Sequence, residues 1–250
     1  MDDGSRSMED SIKVIRNMAA GGISEIYCTP HYMRGRYQFE KSDYRVKYSE
    51  LIEEVKHQQI PVTLYPGAEV FLINGITDDI KAKNLTMGDS NYVLVETELN
   101  GFPPDLYNNL YELLHKGYRP ILAHAERYVS VMTRTHEVKH LIAKNIYIQM
   151  NAGSLMGGYG DKVKTTAWKL INKGWVHMLA SDEHVRGENN AYFLAREKIV
   201  EHVDEKTAKL LTDSYPRCII EKSRIPFSYV SVQVSRRKSK LRWLKRFFGF

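Results

Sequence analysis

Imidazoles and carboxylates recur in this chain at one kind of position, the far end of a short apolar run. His31 closes "EIYCTPH" (25–31), Glu69 lies near the end of "VTLYPGAEVF" (62–71), and Glu96 lies in "NYVLVETEL" (91–99). His124 and Glu126 fall in "RPILAHAERY" (119–128), Asn151 in "IYIQMNAGSL" (146–155), and Asp182 with His184 in "VHMLASDEH" (176–184). Taken singly, a histidine at a strand end is as readily a hydrogen-bonded structural group, and a buried glutamate can cap a neighbouring helix. Arrival of many such groups at the same point of successive runs points instead to a divalent-metal site. Mixed imidazole and carboxylate donors suit Zn, Mn or Fe, and one carboxylate can bridge two ions. The other histidines have plainer readings. His57, His115, His136, His140 and His202 lie in helical stretches or their flanks and read as solvated, while His177 opens a run and belongs to the opposite rim.

The runs are rich in β-branched and aromatic residues and begin roughly one βα unit apart. Helical spacing fills most of the gaps: "KSDYRVKYSELIEEVKHQQ", "PPDLYNNLYELLHKG", "THEVKHLIAKN" and "DKVKTTAWKLINKG", two of them ending in the Lys-Gly helix stop. The gap around "NGITDDIKAKN" is less informative. Strands alternating with helices predict a parallel sheet covered by helices, a barrel or a doubly wound sheet, and barrels take their functional residues from the C-terminal ends of the strands. A further helix spans about residues 7–20, with Ser7 as N-cap, an acid three residues on, and Ile12, Ile15 and Met18 on one face. In a βα repeat a strand precedes each helix, so six strands with this opening helix imply a seventh strand that the sequence does not contain.

The 250 residues are enough for one domain with a sizeable core. Two cysteines, Cys28 and Cys218, do not make a disulfide framework, and no signal-like or membrane-spanning run is present, so the chain reads as cytoplasmic. The net charge of +6 is local: residues 236–250 hold seven Lys/Arg and no acid, leaving −1 for the rest. That distribution argues against a nucleic-acid-binding domain.

"DDGSRSMEDS", "CTPHYMRGRY", "PGAEV", "VLVETEL", "LAHAERY", "MNAGSLMG" and "ASDEH" together resemble the PHP (polymerase and histidinol phosphatase) superfamily. More narrowly they resemble the bacterial tyrosine-protein phosphatases of capsular and exopolysaccharide loci. The resemblance implies a distorted (β/α)7 TIM-like barrel over residues 1–228, followed by a basic-aromatic tail at 229–250. It implies divalent ions, Mn2+ foremost with Fe, Zn and Mg as alternatives, up to three in a complete member. Carried over residue by residue, Asp3, His31, Glu69, Glu96, His124, Asp182 and His184 match the ligands, with Glu69 bridging two ions. Arg127 matches a phosphate-contacting arginine, and Arg186 is a weaker match because the loop around it is less similar.

The chain departs from the pattern at its front, where the family carries a strand bearing His-x-His ahead of Asp-Asp-Gly. Without it, fewer ions, lower activity and lower stability are expected. The implied substrate is phosphotyrosine on a partner kinase of polysaccharide export, and Arg34, Arg36 and Tyr37 could frame its groove or form a solvated loop. "RRKSKLRWLKRFFGF" has a make-up that suits an anionic membrane surface, with a solvated extension as the slightly preferred reading. Two alternatives stay open: a PHP phosphoesterase for a small phosphorylated metabolite, and a non-catalytic binding module of the same fold. The oligomeric state is not readable.

Overall fold

A computed structural model of the chain describes residues 2–182, 184 and 190–226. Arg186, the expected boundary at 228/229 and the basic-aromatic tail lie outside the described residues. The chain runs α1 (Met8–Ala20), β1 (Glu25–Cys28), β2 (His31–Tyr32), α2 (Lys41–His57), β3 (Thr63–Pro66), β4 (Glu69–Phe71), α3 (Ile76–Lys83) and β5 (Tyr92–Glu96). It continues with α4 (Leu106–His115), β6 (Arg119–Leu122), a 3-10 turn (Ala125–Arg127), α5 (Val129–Thr133), α6 (Glu137–Ala143) and β7 (Tyr147–Asn151). Then come α7 (Ala152–Met156), α8 (Asp161–Asn172), β8 (Met178–Ala180) and α9 (Asn190–His202), with α10 (Glu205–Lys209) and α11 (Tyr215–Ile220) closing the described chain.

Six apolar runs thus become strand, and every pairing between these strands among the described residues is parallel, in the order β2-β4-β5-β6-β7-β8, with β1 beside β3. The first two runs are each broken in the middle. Pro30, which lacks an N–H, separates β1 from β2. Gly67 separates β3 from β4 where the two lines approach closely; a Cβ there would meet Thr29 Cγ2 and Met87 Sδ at 3.1 Å. The result is a curled parallel half-barrel. Among the described residues, β1 and β8 each have a single strand neighbour. The cleft between these edges has a volume of about 700 Å3, and Ile26, Cys28, Met178 and Leu179 line it.

Strands β5 and β7 are buried almost throughout, as expected for a parallel sheet covered on both faces. One large apolar cluster joins them to α4, α6, α8 and α9, through Leu110, Leu113, Leu141, Leu170 and Ile199. A smaller cluster seats α1: Ile12 and Ile15 pack with Val55, Ile60 and Leu64. Ser7 caps α1 by accepting from the Asp10 amide at 3.1 Å. Helix α4 stops at Gly117, whose positive φ of 87° lets the Tyr118 amide turn back to the Leu113 carbonyl. The uninformative stretch after residue 74 is helical as α3, while the 3-10 turn and most of α7 fall inside runs read as strand. No helix among the described residues is long and apolar enough to cross a membrane.

His177 lies on the rim opposite the His/carboxylate residues, as its place at the start of a run suggested. It is buried between the rings of Tyr147 and Tyr215, and its Nδ1 accepts from the Ile148 amide at 3.1 Å. Burial pulls its pKa down to about 4, so the folded protein holds it neutral. The unfolded chain takes up this proton first, near pH ~6.5, so the stabilisation is complete above that pH and is lost as pH falls toward 4. Acidification through this window is expected to cost up to about 3 kcal/mol. His177→Asn keeps an acceptor for Ile148 but cannot titrate, so its urea midpoint should change less between pH 7 and 4.5; parallel pH profiles would refute the assignment.

Candidate metal centre

The parallel register aligns the candidate ligands along one rim. His31 sits beside Glu69 in adjacent strands, and Phe71 pairs with Glu96 in the next. His124 follows β6 and Asp182 follows β8, both with left-handed backbone, φ 35° and 49°. Such conformations are uncommon for residues with side chains and cluster at functional sites. Here they turn the two side chains inward at the strand ends. The His124 turn is held by its own amide, which donates to Gln149 Oε1 at 2.9 Å.

All seven expected ligands converge. His31 Nδ1 lies 2.9 Å from Glu96 Oε1, and its Nε2 lies 3.5 Å from Asp3 Oδ1. His124 Nε2 lies 2.9 Å from Glu69 Oε1 and 3.5 Å from Glu96 Oε2. His184 stands 3.5 Å from both Asp3 and Asp182. Two triads, Asp3–His31–His184 and His31–Glu69–Glu96, bring ligand atoms within 4.8 Å of one another and share His31.

Several of these contacts have hydrogen-bond length but not hydrogen-bond direction. His31 Nδ1 and Glu69 Oε1 are buried without a hydrogen-bond partner, although each has an opposite charge about 2.9 Å away. His31, Glu69 and Glu96 gather ligand atoms within 4.8 Å of one another while these two buried atoms make no hydrogen bond, as donors to a shared cation would. Imidazole nitrogens with carboxylate oxygens are also the right chemistry for a divalent ion. The residues fit a metal centre.

The electrostatics agree. Contact with Glu96 outweighs burial and lifts His31 to about 9. Burial opposes the charge on His124, but Glu69 and Glu96 overcome it and raise the group to about 10. Burial would raise Glu96, yet the two imidazoles hold it at about 2. Glu69, almost fully enclosed, is raised by burial. Carboxylates of this density need compensating positive charge, which protons on His31 and His124 supply in the metal-free chain. Divalent ions would take over that role and displace the protons.

Beneath the rim lies a buried polar network. Glu126 is fully enclosed, and its Oε1 accepts from the Asn151 amide at 3.1 Å and from the Ser154 hydroxyl. Asn151 Oδ1 accepts from Gln149 at 3.2 Å, while Asn151 Nδ2 donates to Asp182. Asp182 is thereby oriented through Asn151 and, one step further, through Glu126. Burial raises the Glu126 pKa.

Arg127 reaches the same rim, its Nη1 3.5 Å from Asp182 Oδ2. Tyr37 stacks on the His31 ring at 5.8 Å, and Arg36 lies 4.9 Å over Tyr37. Arg34 is engaged elsewhere: Nε donates to Asp79 at 2.6 Å and Nη2 to the Gly75 carbonyl at 3.0 Å, so it braces the loop after β2. Asp2, Gln149 and Ser154 escaped the sequence reading. Asp2 Oδ2 accepts from the His31 amide at 2.7 Å and Oδ1 from Gly4 at 3.1 Å, the Asx geometry that an Asp-x-Gly string favours.

Glu126→Ala would strand the Asn151 amide and the Ser154 hydroxyl without an acceptor. It should lower stability by about 1–3 kcal/mol in urea titrations, and Glu126→Gln, which keeps the accepting oxygen, should lower it less. An alanine variant as stable as the parent would remove Glu126 from this supporting role.

A family model described as "Capsular polysaccharide synthesis, CpsB/CapC" matches residues 1–221. The chain is 31% identical over 185 residues to the tyrosine-protein phosphatase YwqE of Bacillus subtilis, covering 74% of this chain and 73% of that protein. It is 26% identical over 227 residues to the tyrosine-protein phosphatase CpsB of Streptococcus pneumoniae, covering 88% and 93%. Among solved structures, one from a study of YwqE and CpsB, described as unique metal-dependent tyrosine phosphatases, superposes with a TM-score of 0.79 at 27% identity over 93% of each chain. The curled parallel sheet agrees with that match, and the family model spans most of the sequence: the chain belongs to the CpsB/CapC family of capsular polysaccharide synthesis.

Proposed function

We propose that this chain is a metal-dependent protein-tyrosine phosphatase whose substrate is phosphotyrosine on a bacterial tyrosine kinase of capsule or exopolysaccharide synthesis. The observation that carries this reading is the pair of ligand triads sharing His31, with the Arg127 guanidinium at their margin. Mn2+ is the proposed ion. Glu69 would bridge two ions, His31 and His124 would complete one, Asp182 would serve another, and Asp3, Glu96 and His184 would add to the remaining coordination. Bound divalent ions supply Lewis acidity toward the phosphoryl oxygens and a nucleophilic water at neutral pH.

The chain's own groups do the positioning. Arg127 is placed to hold two phosphoryl oxygens in its fork, the geometry in which guanidinium recognises phosphate best. Asp182 and Asn151 fix where that fork points. His31 and His124 give up their ring protons when ions bind, so the site exchanges protons for metal. Water adds to phosphorus, the P–O bond to the aryl oxygen breaks, and tyrosine and inorganic phosphate leave. The leaving phenolate belongs to an acid of pKa ~10, so its departure makes little demand on a strong general acid. Tyr37, with Arg36 over it, frames the entrance, and Arg34 holds that loop to Asp79.

The finer parts of the reading stand with it. Were a seventh strand bearing His-x-His to join the sheet, it would lie in the cleft between β1 and β8 and add imidazoles near Glu69 and Asp182. Residues 229–250 would hold the enzyme at the cytoplasmic face of an anionic membrane, near a membrane-bound kinase.

Purified protein with Mn2+ is expected to hydrolyse a chromogenic aryl phosphate and phosphotyrosine peptides in preference to small phosphorylated metabolites, and EDTA should abolish the activity. The opposite preference would favour the metabolite phosphoesterase. Less than one bound ion per chain, with no turnover, would favour a binding module. Arg127→Ala should lower kcat/KM about 10- to 100-fold, the worth of a charge-assisted contact, without changing bound Mn2+. Glu69→Ala should lose bound metal and activity together; full metal content in that variant would rule out Glu69 as a bridge.

A further inference from the structure

The Tyr159 ring lies with its centroid 4.3 Å from the Arg127 guanidinium carbon. The residue is 39% exposed, so part of the ring faces solvent directly beside the margin of the metal centre. Its hydroxyl lies next to the Asn151 side chain, the group that donates to Asp182. The ring also rests on backbone, since a Cβ built on Gly153 would meet Tyr159 Cε2 at 3.3 Å. Tyr159 sits between α7 and α8 in "GGYG", where Gly157 and Gly160 hold φ values of 95° and 91° that side-chain-bearing residues rarely adopt. The loop therefore delivers one aromatic ring to one place, backed by Gly153 and covering the guanidinium.

We propose that Tyr159 is the specificity-determining residue of this site. Its ring fixes the plane of Arg127 and offers the flat apolar surface against which the aromatic ring of an aryl phosphate lies. The inference rests on the phosphatase reading above and adds to it the residue that selects aryl over alkyl phosphoesters. Geometry favours this over simple packing. A ring needed only to fill space would be buried, whereas Tyr159 is 39% exposed beside a cation that is only 23% exposed. A phosphoryl group held by Arg127 brings its ester substituent alongside that exposed ring. An aryl substituent gains an aromatic contact there, worth ~0.5–1.5 kcal/mol or about 2- to 10-fold in affinity, and an alkyl substituent gains none of it. Tyr37 stacks on His31 and not on Arg127, a contact distinct from this one.

The test compares binding of phenylphosphonate and methylphosphonate to the full chain with Mn2+ by calorimetry, in the parent, Tyr159→Phe, Tyr159→Leu and Gly153→Ala. The parent should bind the phenyl compound about 2- to 10-fold more tightly. Tyr159→Phe should keep the preference and Tyr159→Leu should lose it. Gly153→Ala presses on the ring by only a few tenths of an ångström and should keep the preference, which controls for substitution near the ring without its loss. The ratio of kcat/KM for aryl against alkyl phosphates should follow the same order. A leucine variant that retains the parent's preference would overturn the proposal, as would a parent that shows none. A parent that prefers phenylphosphonate but hydrolyses no phosphotyrosine would refute the phosphatase reading and leave this assignment standing.

Discussion

Glu69, buried, and Glu96, partly buried, are carried on adjacent strands of one sheet at its rim, within reach of the same imidazole. Two carboxylates so placed cannot both be ionised without positive charge between them. That constraint organises the centre. It accounts for His31 and His124 on the flanking strands, for their pKa values of about 9 and 10, and for the depression of Glu96 to about 2. It also explains why the ligand atoms gather so closely. In the metal-free chain the compensation is two protons held in poor hydrogen-bond geometry, an arrangement divalent ions satisfy better. Fold and cofactor chemistry meet in that exchange.

The rim must stay in shape whichever cations are present, and the supporting layer suggests how. Gln149, Asn151 and Ser154 are neutral amides and a hydroxyl that tie the His124 turn to Asp182. Neutral groups keep their hydrogen bonds when the charge above them changes. Glu126 is the exception, but burial pushes its carboxyl toward the protonated form and away from adding a further charge. The left-handed backbone at His124 and Asp182 costs of order 1–3 kcal/mol per residue, and this fully enclosed layer is what holds it in place.

Much of this was legible from residue type and period. The six strands and the long helices follow from apolar alternation and helical spacing, and all seven expected ligands do converge. The breaks at Pro30 and Gly67 were not read, because a run that stays apolar hides a break that backbone approach imposes. The supporting layer was also invisible: Gln149 and Ser154 are ordinary residues whose role exists only through partners 25 and 28 positions away. Arg34 looked like its neighbour Arg36 in sequence, yet Asp79, 45 residues on, claims its guanidinium. Tyr159 was obscured for another reason. Its glycine-rich surroundings announce a loop without saying what the loop faces.

The division of labour between strands and loops bears on how such a site changes. Ligands come from strand ends, where register fixes them to their neighbours and one residue of slippage would turn them to the other face. The aromatic rings beside the ligands come from loops, Tyr37 after β2 and Tyr159 after α7. Loops tolerate substitution far better than paired strands do. A replacement at Tyr37 or Tyr159 changes the aromatic surface beside the rim while removing no metal-ligand candidate and no member of the Glu126–Asn151–Asp182 layer. In the proposed reading the metal chemistry and the selection of substrate are set by different parts of the chain, joined at Arg127, which contacts Asp182 and the Tyr159 ring.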